Sequence, residues 1–583
     1  MMKKVLRYLK DYKKECVLAP LFKLLEASFE LVVPFVMAAI IDNGIAMENK
    51  KYIIAMGGVL LLFAAIGFAS ATTAQYFAAK AAVGFSTKLR HALFEKIESL
   101  SFSQMDTVGN STLITRMTSD VNQVQSGVNM VLRLFLRSPF IVFGAMIMAF
   151  TISVPAAIVF VVTIPLLSIV VFTVMVITIP MYKRVQFGLD RVLGHTRENL
   201  EGVRVVRAFI RQDKEIEDYC EDNESLTGFQ IAVGKISALT NPLTFVIVNC
   251  ATLIVIYVGG KQTYIGNITQ GQVVALVNLM SQILVELIKL ANLIVNITKS
   301  IASGNRIGDI LEMESSLIEK NENAVNASSS EEYVVFDKVC MTYEGAADEA
   351  LTDIDFKVEK GQIIGIIGGT GSGKSTLVNM IPRFYDASKG VVKVNGVDVK
   401  EYPVIQLRDM IGVVPQKAVL FAGTIAENLR WGNPNASDEE LWEALEIAQA
   451  ADVVRAKEDG LDHMVEQEGR NLSGGQRQRL TIARALVKKP EILILDDSAS
   501  ALDFATDKKL RNALEKLRGK MTIFIVSQRT SSIQFANKIV VLDDGEMVGL
   551  GSHNELIVKC DVYREIYSSQ FKKETQNGGV NNA

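Results

Sequence analysis

The sequence has few cysteines, few histidines and almost no net charge. Its five cysteines are spread over 583 residues without paired spacing, which argues against a disulfide framework and against a cysteine-based metal site. The formal net charge is -3, so neither a nucleic-acid partner nor an acidic substrate is indicated. Only four histidines are present, so few positions can carry histidine chemistry.

Apolar residues, by contrast, are abundant. They make up 49% of the chain and the mean hydropathy is +0.25, although 21% of the residues are charged. This mixture is typical of a membrane-embedded part joined to a soluble part. A chain of 583 residues is also too long for one compact domain, so two or more domains are expected.

Six membrane spans are predicted, because a helix crosses the bilayer with about 20 mostly apolar residues. Tyr52–Ala79 and Ser138–Tyr182 carry no charge, and the second is long enough for two spans with a turn at Ser153–Pro155. The remaining spans are predicted at about Val17–Ile41, Ile236–Gly260 and Gln262–Val285.

Basic residues determine the predicted orientation of these spans. The two long connections, about Lys80–Arg137 and Lys183–Gly234, carry many Lys and Arg, whereas the other connections are short. The positive-inside rule therefore places both termini, both long connections and the C-terminal domain in the cytoplasm. The long connections are predicted to be helical extensions of the spans that turn near Ser111–Asp120 and Val203–Gln212.

The N-terminal stretch 1–14 is basic and has a partly apolar face. Val5, Leu9 and Tyr12 fall on one side of a helix, with lysines around them. We interpret this stretch as an amphipathic helix on the cytoplasmic membrane surface. The alternative is an unstructured basic start.

Composition changes along the chain predict the domain order. A stretch rich in Ser, Asn, Ala and Glu marks a linker, and after it short Val- and Ile-rich runs alternate with helical stretches, as in an α/β domain. The predicted fold class is therefore an α-helical transmembrane domain of six spans followed by an α/β nucleotide-binding domain. The predicted parts are the transmembrane domain at 15–313, the linker at 314–332, the α/β domain at 333–571 and a mobile tail at 572–583.

A glycine-rich loop follows the apolar strand Ile363–Ile367 and leads into a predicted helix. It matches the P-loop pattern, in which backbone N–H groups and a helix N-terminus bind phosphates. Lys374 is expected to reach the β- and γ-phosphates of ATP, and the Ser375 hydroxyl is expected to bind Mg²⁺. The predicted ATP-binding residues here are Gly368, Gly369, Thr370, Gly371, Ser372, Gly373, Lys374, Ser375 and Thr376.

Two further motifs lie downstream of the P-loop. Ile492–Asp496 is an apolar strand that ends in a carboxylate, and because Mg²⁺ prefers oxygen ligands, Asp496 is the expected protein partner of the metal. Between the P-loop and this strand, Leu472–Gln476 has the sequence Leu-Ser-Gly-Gly-Gln and precedes a predicted helix.

These motifs together resemble those of ATP-binding cassette exporters, and the resemblance covers nearly the whole chain. Leu472–Gln476 resembles the signature motif that separates this family from other P-loop ATPases. The resemblance implies that Tyr343 stacks on adenine and that Gln416 links the Mg²⁺ site to the membrane domain. It also implies that Asp503 lies in a loop at the interface between two cassettes.

The family closes two cassettes head to tail around two ATP molecules. Each ATP lies between the P-loop of one chain and the signature of the other, so a chain with one cassette and six spans resembles a half-transporter that needs a second half. The residues expected to contact ATP in the partner's site are Leu472, Ser473, Gly474, Gly475 and Gln476.

Two positions depart from the family pattern. Active cassettes place Glu directly after the strand aspartate, where it polarises the attacking water, and this chain has the shorter Asp497. The family also has a His after the next strand, and this chain has Gln528, which donates a hydrogen bond but carries no charge. His553 lies too late in the chain to replace it. The sequence therefore predicts a degenerate catalytic site that binds ATP and Mg²⁺ and hydrolyses ATP slowly; for Asp497 alone, a tolerated conservative change is the alternative.

This combination resembles the degenerate-site subunit of heterodimeric bacterial multidrug exporters. It implies a partner half-transporter with an intact Glu and His, whose active site the signature of this chain completes. It also implies a multi-pass protein of a bacterial plasma membrane.

Polar residues recur every three or four positions along the last predicted span. Because polar groups that face lipid are costly, this stripe is predicted to line a substrate cavity, chiefly through Asn278, Gln282 and Glu286. Lys23, Glu26 and Glu30 of the first span are candidates for the same cavity; the alternative is that all these residues face water on cytoplasmic helix extensions. The stripe comprises Asn278, Gln282, Glu286, Lys289, Asn292 and Asn296.

The predicted function is ATP-driven export of drugs or other lipophilic or amphipathic small molecules from the cytoplasm or inner leaflet. Apolar cavity walls with a few charges suit such cargo. A lipid or peptide exporter is the nearest alternative, and a regulatory cassette protein gated by ATP is an alternative from another class. The partner's residues at the two departing positions distinguish a pump from a gate.

Overall fold

Long, largely apolar helices form the N-terminal half of the computed structural model. The structure describes residues 2–314, 317 and 331–571. Most of the predicted linker at 314–332 and all of the predicted tail at 572–583 lie outside the described residues, so both stay predictions.

The described part of the chain contains six helical stretches long and apolar enough to cross a membrane, which confirms the predicted helical membrane region. An apolar run of this length folds as a helix because a helix satisfies its own backbone hydrogen bonds in lipid. The stretches are Leu6–Ile45, Lys50–Glu98, Asn110–Ile152, Val154–Ala208, Gln212–Tyr264 and Gln270–Glu312. The α-helices of this half are α1 (Met2–Val5), α2 (Lys13–Ala39), α3 (Lys50–Glu98), α4 (Phe102–Val108), α5 (Asn110–Thr115), α6 (Val121–Leu134), α7 (Arg137–Ile152), α8 (Val154–Ala208), α9 (Gln212–Ala238), α10 (Thr240–Tyr264) and α11 (Gln270–Glu312).

The chain divides into two units, and α4 belongs to the second. The first unit comprises Met1–Glu98 and Ser111–Met313, whereas Ser99–Asn110 groups with the chain from Glu314 onward. The predicted transmembrane domain at 15–313 therefore contains a short segment that packs with the other unit. Its boundaries otherwise stay a prediction.

The first of the two predicted turns in the long connections begins earlier in the chain than predicted. The predicted turn at Ser111–Asp120 is helical, and the helices break instead at Ser99–Ser101 and at Gly109, between α4 and α5. Ser101 and Gln104 form a capping box there, which starts α4. Polar side chains in the predicted turn, such as Thr115, donate to carbonyls one turn earlier and so remain compatible with a helix.

The last span also begins later than predicted. Its predicted start was Gln262, but that residue lies in α10, which ends at Tyr264, and α11 begins only at Gln270. Thr269 and Gln272 form a capping box at the start of α11. A local capping signal therefore sets this boundary, whereas hydropathy alone placed it in the preceding helix.

Small side chains let the helices of the first unit approach closely. Ala27, Ala145 and Ala149 are buried in the apolar core between α2, α7, α8, α10 and α11. At Gly271 a Cβ atom would lie 2.3 Å from the carbonyl oxygen of Ala38, so only glycine fits there. Close approach through small residues is typical of helix packing in membranes.

The second unit has the predicted α/β composition. Its strands are β1 (Glu332–Met341), β2 (Leu351–Glu359), β3 (Ile363–Gly368), β4 (Lys389–Val394), β5 (Val397–Asp398), β6 (Ile411–Val414), β7 (Gly423–Thr424), β8 (Met464–Val465), β9 (Ile492–Asp496), β10 (Thr522–Val526), β11 (Lys538–Asp543) and β12 (Glu546–Gly551). Its α-helices after residue 331 are α12 (Lys374–Asn379), α13 (Val404–Asp409), α14 (Ile425–Arg430), α15 (Asp438–Ile447), α16 (Ala451–Arg455), α17 (Gly474–Val487), α18 (Phe504–Glu515), α19 (His553–Lys559) and α20 (Asp561–Phe571).

Ten of the described strands form one sheet in the order β5-β4-β1-β2-β12-β11-β3-β10-β9-β6. The strands β11, β3, β10, β9 and β6 are parallel neighbours, whereas β5, β4, β1 and β2 pair antiparallel. Both β3 and β9 are buried along their whole length, as expected for parallel strands covered on two faces. The carboxyl ends of β3, β9 and β10 meet at one edge of the sheet, and this edge positions the site.

Candidate functional site

The P-loop connects β3 to α12 through a turn that requires glycine. Gly371 and Gly373 both have a φ of 87°, a left-handed conformation that favours glycine. At Gly373 a Cβ atom would also lie 2.7 Å from the carbonyl oxygen of Ala350. The loop therefore keeps its backbone close-packed at the start of α12, where N–H groups can bind phosphate oxygens.

Lys374 is buried at the centre of this loop. Its Nζ donates to the carbonyl of Gly368 at 3.0 Å and to the Ser372 hydroxyl at 3.3 Å, and it also bonds to the carbonyl of Gly369. Burial lowers the pKa of Lys374, and the nearby carboxylate of Asp497 opposes the shift. A poorly hydrated ammonium, held by backbone carbonyls beside a glycine-rich loop, is well suited to bind an anionic phosphate.

The donor set beside the loop fits a magnesium ion. The Ser375 hydroxyl donates to Asp496 Oδ1 at 3.0 Å, and both residues line one cavity together with Gln416. Burial raises the pKa of Asp496, and a cation there would favour the ionised carboxylate instead. Mg²⁺ binds proteins through one or two carboxylates plus substrate phosphates. Among the described residues no group of three or more His, Cys, Asp or Glu side chains could hold a metal ion, so a metal here would take its remaining oxygens from phosphate or water.

Asp497 and Gln528 lie at the ends of neighbouring strands and line the same cavity. Asp497 follows β9 with a φ of 46°, and its N–H donates to the carbonyl of Val526 at 3.0 Å. Burial raises the pKa of Asp497, whereas the positive charge of Lys374 and a hydrogen bond from Gln416 lower it. The structure therefore brings both departing positions to the predicted phosphate end of the site.

Tyr343 lies at another wall of this cavity. Its hydroxyl is 2.9 Å from Thr376 Oγ1, and its ring packs edge-on against Tyr385. The cavity has a volume of about 280 Å³. Its lining comprises Tyr343, Ala350, Thr370, Gly371, Gly373, Lys374, Ser375, Thr376, Gln416, Asp496, Asp497, Val526 and Gln528.

The predicted signature residues lie elsewhere. None of the five described residues Leu472–Gln476 lines this cavity. Ser473 and Gln476 form the capping box that starts α17, with Ser473 N–H donating to Gln476 Oε1 at 2.9 Å. Ser473 and Gly474 are exposed, so the N-terminus of α17 is accessible.

Asp503 and His553 also lie outside the cavity lining. Asp503 caps α18 by accepting the backbone N–H of Thr506 at 3.0 Å, and this hydrogen bonding lowers the pKa of Asp503. His553 lies 2.7 Å from the Tyr563 hydroxyl, and burial lowers its pKa. His553 is thus not among the residues that line the cavity with Gln528.

A second cavity, of about 510 Å³, lies in the first unit. Asn278, Gln282, Glu286 and Glu30 line it, whereas Lys23 and Glu26 bond to each other and are not among its lining residues. That this cavity binds substrate stays a prediction. Asn292 and Asn296 are not among its lining residues, so the stripe contributes its first four residues, from Asn278 to Lys289. The lining residues are Glu30, Val33, Pro34, Met37, Ile141, Asn278, Ser281, Gln282, Val285, Glu286 and Lys289.

Arg137, which was not predicted from the sequence, forms ion pairs with two acidic residues of this lining, Glu30 and Glu286. Arg137 bonds to Glu286 and to Glu30, each at 2.6 Å, and Glu286 also accepts from Ser138 and Lys289 at 2.8 Å. Glu286 is only 3% exposed, so it does not simply face water. A lone basic residue directly before an uncharged span was the available signal, because such a residue needs an acidic partner.

Comparison with known proteins agrees with both halves of this description. The ABC transporter transmembrane region matches residues 16–287, and the ABC transporter family matches residues 351–500. The chain is 35% identical over 573 residues to the uncharacterized ABC transporter ATP-binding protein YfiB of Bacillus subtilis, covering 98% of this chain and 99% of that protein. It is 31% identical over 578 residues, 98% of this chain and 99% of the relative, to YgaD of Bacillus subtilis, whose name describes a multidrug export ATP-binding/permease protein.

Two further similarities are informative. The chain is 29% identical over 486 residues to the ATP-dependent lipid A-core flippase of Syntrophus aciditrophicus, covering 83% of this chain and 80% of that protein. Its fold is similar to the solved structure of a bacterial Atm1-family ABC exporter with ATP bound, with a TM-score of 0.79 and 22% identity, over 96% of this chain and 98% of that chain. At this identity the likeness concerns the fold alone.

Proposed function

The chain belongs to the ABC transporters, and we propose that it is the degenerate-site subunit of a heterodimeric exporter. Six membrane-spanning helices and one ATP-binding domain make it an exporter half that couples ATP hydrolysis to transport. The proposal of a degenerate site is carried by one observation: Asp497 and Gln528 line the same cavity as Ser375 and Asp496. The two departures thus fall beside the residues that suit phosphate and metal.

The residues of this site have separate proposed roles. Lys374 and the P-loop backbone bind the phosphates, and Tyr343 packs against adenine. Ser375, Gln416 and Asp496 would hold Mg²⁺, which neutralises charge on the transferred phosphoryl group when bound.

Asp497 occupies the position that orients the attacking water, and its shorter side chain holds the carboxylate about 1 Å further from that water. A misplacement of this size can cost on the order of 10²-fold in rate. Gln528 can donate to a phosphate oxygen but supplies no positive charge. ATP therefore binds here and is hydrolysed slowly.

The signature of this chain serves the partner in this proposal. Ser473 and Gly474 are exposed at the N-terminus of α17, and Ser473 does not line the ATP cavity of its own chain. A helix N-terminus favours phosphate. The partner then supplies a competent Glu and His, and this chain completes that second site.

Co-expression tests the heterodimer proposal. The purified chain in lipid nanodiscs should hydrolyse ATP slowly, and the complex with a half-transporter that carries Glu and His should hydrolyse it at least tenfold faster. Fast hydrolysis by the chain alone would overturn the proposal. A partner that also lacks Glu and His would favour ATP gating over pumping.

The proposed cargo is a lipophilic or amphipathic small molecule bound in the cavity of the first unit. The mostly apolar walls and the few polar groups of this cavity support that class. YgaD supports drug export, whereas the lipid A-core flippase supports a lipid as the second candidate. We expect Gln282→Ala to weaken stimulation of the ATPase of the complex by an alkyl-dansyl amphiphile at least threefold.

Asn296→Ala is the matched control for this cargo experiment. Asn296 lies on the same stripe of α11 but outside the cavity lining. Equal effects of the two substitutions would contradict the cavity as the binding site. Stimulation by a fluorescent phospholipid and not by the small amphiphile would favour the lipid exporter.

The proposed location is a bacterial plasma membrane, with both termini and the ATP-binding domain in the cytoplasm. The Lys- and Arg-rich long connections support this orientation, and bacterial relatives support the source. Residues 2–12 are helical, which is compatible with the proposed surface helix at 1–14.

A further inference from the structure

The last described helix, α20, is anchored to the ATP-binding domain by one face. Tyr563 of this helix is fully buried, and its hydroxyl lies 2.7 Å from Nδ1 of His553 in α19. Gln570 follows about two helical turns after Tyr563, so the two side chains lie on the same face of α20. The anchored face therefore brings Gln570 to the loop that follows β10.

The Gln570 side chain holds both ends of a short segment of this loop, residues 528–530. Its Nε2 donates to the carbonyl of Gln528 at 2.7 Å. Its Oε1 accepts from the N–H and from the hydroxyl of Thr530, each at 2.9 Å. A reversed amide would place its oxygen against a carbonyl and its nitrogen against an N–H, so these bonds determine the orientation of the amide.

The contact to Thr530 is important because Thr530 is completely buried. A buried N–H or hydroxyl that loses its hydrogen-bond partner is unfavourable. Without the Gln570 amide, the loop would therefore shift until these donors found other acceptors. The amide thus fixes the backbone of the loop at residues 528 and 530.

Gln528 joins this contact to the ATP cavity. It lines the cavity together with Lys374 and Asp497, whereas Gln570 is not among the lining residues. Because the Gln528 carbonyl bonds to α20, the backbone that carries the Gln528 side chain is held from outside the cavity. A displacement of about 1 Å at a reacting group can cost on the order of 10²-fold in rate. The position of this backbone should therefore affect hydrolysis.

We propose that Gln570 is a positioning residue for ATP hydrolysis: its amide fixes residues 528–530 and thereby the distance between the Gln528 amide and the terminal phosphate of bound ATP. This inference rests on the proposed ATP site and adds to it a residue of α20 outside the cavity. The P-loop and Tyr343 bind ATP without Gln528 in this proposal. A loosened loop should therefore lower kcat and leave the affinity for ATP nearly unchanged.

Hydrolysis by the purified full chain in nanodiscs reports on this site, because every site in that sample carries Asp497 and Gln528. The value of kcat is measured from phosphate release with ATP labelled at the γ-phosphate, and the dissociation constant of ATP with Mg²⁺ is measured by calorimetry. Gln570→Met keeps the length of the side chain and removes both the donor and the acceptor. Gln528→Met and the double variant show whether Gln570 acts through Gln528.

Gln570→Glu is a second test that does not depend on whether Gln570→Met folds. Its carboxylate keeps an acceptor for Thr530 but cannot donate to the Gln528 carbonyl. This substitution therefore removes the contact to Gln528 alone.

Ser569→Ala is the matched control on α20. The Ser569 hydroxyl donates to the carbonyl of Ile566 at 2.8 Å, within the same helix. Removing this hydroxyl tests the general effect of altering the end of α20. We expect kcat and the dissociation constant of ATP each to stay within twofold of the unaltered chain.

The expected result is a loss of turnover without a loss of binding. Gln570→Met and Gln570→Glu should each lower kcat about three- to tenfold, because the displaced Gln528 amide no longer reaches the phosphate in the transition state. The dissociation constant of ATP should change less than twofold. The double variant should match Gln528→Met, because Gln570 then has no amide left to position.

Five results would overturn this inference alone: unchanged kcat in both Gln570 variants, unchanged kcat in Gln528→Met, an equal loss in Ser569→Ala, a parallel loss of ATP affinity, or additive losses in the double variant. Fast hydrolysis by the unaltered chain would instead overturn the proposed degenerate site, while the ratio of variant to unaltered kcat still decides the role of Gln570. Failure of the unaltered chain to bind ATP would overturn the proposed ATP site and this inference with it.

Discussion

Asp497 combines a short side chain with an unusual backbone conformation. Its φ of 46° places it in the left-handed region, which Asp and Asn adopt more readily than Glu. We expect Asp497→Glu to raise the ATP turnover of this site about tenfold, because a general base within reach of the water typically contributes about 10²-fold or more. The increase in turnover should be no larger, because Gln528 supplies no positive charge to the phosphate.

This prediction is measured in a complex whose partner site has lost its catalytic Glu, so that only this site turns over. Asp497→Asn is the control, because it keeps the backbone preference and removes the base. If Asp497→Glu has no effect alone but does with Gln528→His, the missing histidine is the limiting group. No gain in the double variant would contradict the degenerate-site proposal.

The buried charge of Asp497 predicts a pH dependence of stability. Its folded-state pKa is raised, so its contribution to stability is fully present below the unfolded value of about 3.9 and is lost as the pH rises through the folded value. Without nucleotide and Mg²⁺, Asp497→Asn should therefore raise the Tm at pH 7.5 by about 2 °C. The gain should shrink near pH 4.5 in thermal unfolding of the purified chain.

Asp503→Asn should behave in the opposite way. Hydrogen bonds at the start of α18 lower the pKa of Asp503, so its contribution is present above the unfolded value and lost as the pH falls. The substitution should lower the Tm at pH 7.5, and the difference should vanish at low pH. If Asp497→Asn and Asp503→Asn changed the Tm at pH 7.5 in the same direction, the opposite pKa shifts assigned to the two carboxyl groups would be contradicted.

Single residues differ in how well the sequence predicts them. Lys374 and Asp496 follow from short motifs whose backbone requirements are local, and the structure brings them to one cavity. Arg137 carries no such motif. Its ion pair with Glu286 joins two residues that are far apart in the sequence, so no local pattern predicts this contact.

Helix boundaries depend on capping more than on hydropathy. At the scale of elements, the apolar runs predicted six spans and the turn at Ser153, where α7 ends and α8 begins. The predicted helix boundaries near Ser101 and Thr269 were wrong. Each of these helices starts at a capping box, a pattern of only four residues, which is easily overlooked in a long polar or apolar stretch. The turn in the second long connection, at Phe209–Arg211, falls within its predicted range of Val203–Gln212.

The end of α4 depends on one glycine. Gly109 has φ 79° and ψ 139°, a conformation that only glycine adopts readily, and no other group lies within 4 Å of its added Cβ. Gly109→Ala should therefore destabilise the α4 turn by about 1–3 kcal/mol through backbone strain. Hydrogen exchange of the α4 amides should accelerate about tenfold or more, since 1.4 kcal/mol is a factor of ten.

Gly202→Ala is the matched control for this element. Gly202 lies within α8, and an added Cβ there also meets nothing within 4 Å. The alanine should stabilise the helix by about 0.5–1 kcal/mol. Equal effects of the two substitutions on α4 exchange would show that the left-handed backbone of Gly109 is not the cause.

The whole molecule is asymmetric in the proposed heterodimer. In this proposal the signature of the chain completes a fast site in the partner, and the P-loop of the chain forms a slow site. The two sets lie apart, because Lys374 lines the cavity whereas Ser473 caps α17 outside it. A substitution in the signature of this chain should therefore lower the ATPase activity of the complex more than a substitution in its P-loop.

Ser473→Ala should lower the steady-state ATPase of the complex more than tenfold, whereas Lys374→Ala should lower it less than threefold. The first removes a contact to ATP in the competent site, and the second acts on the slow site. Ser437→Ala is the control, since Ser437 forms the same capping box on α15 and its loss costs only about 1 kcal/mol of stability. A larger loss from Lys374→Ala than from Ser473→Ala would mean that this chain carries the competent site.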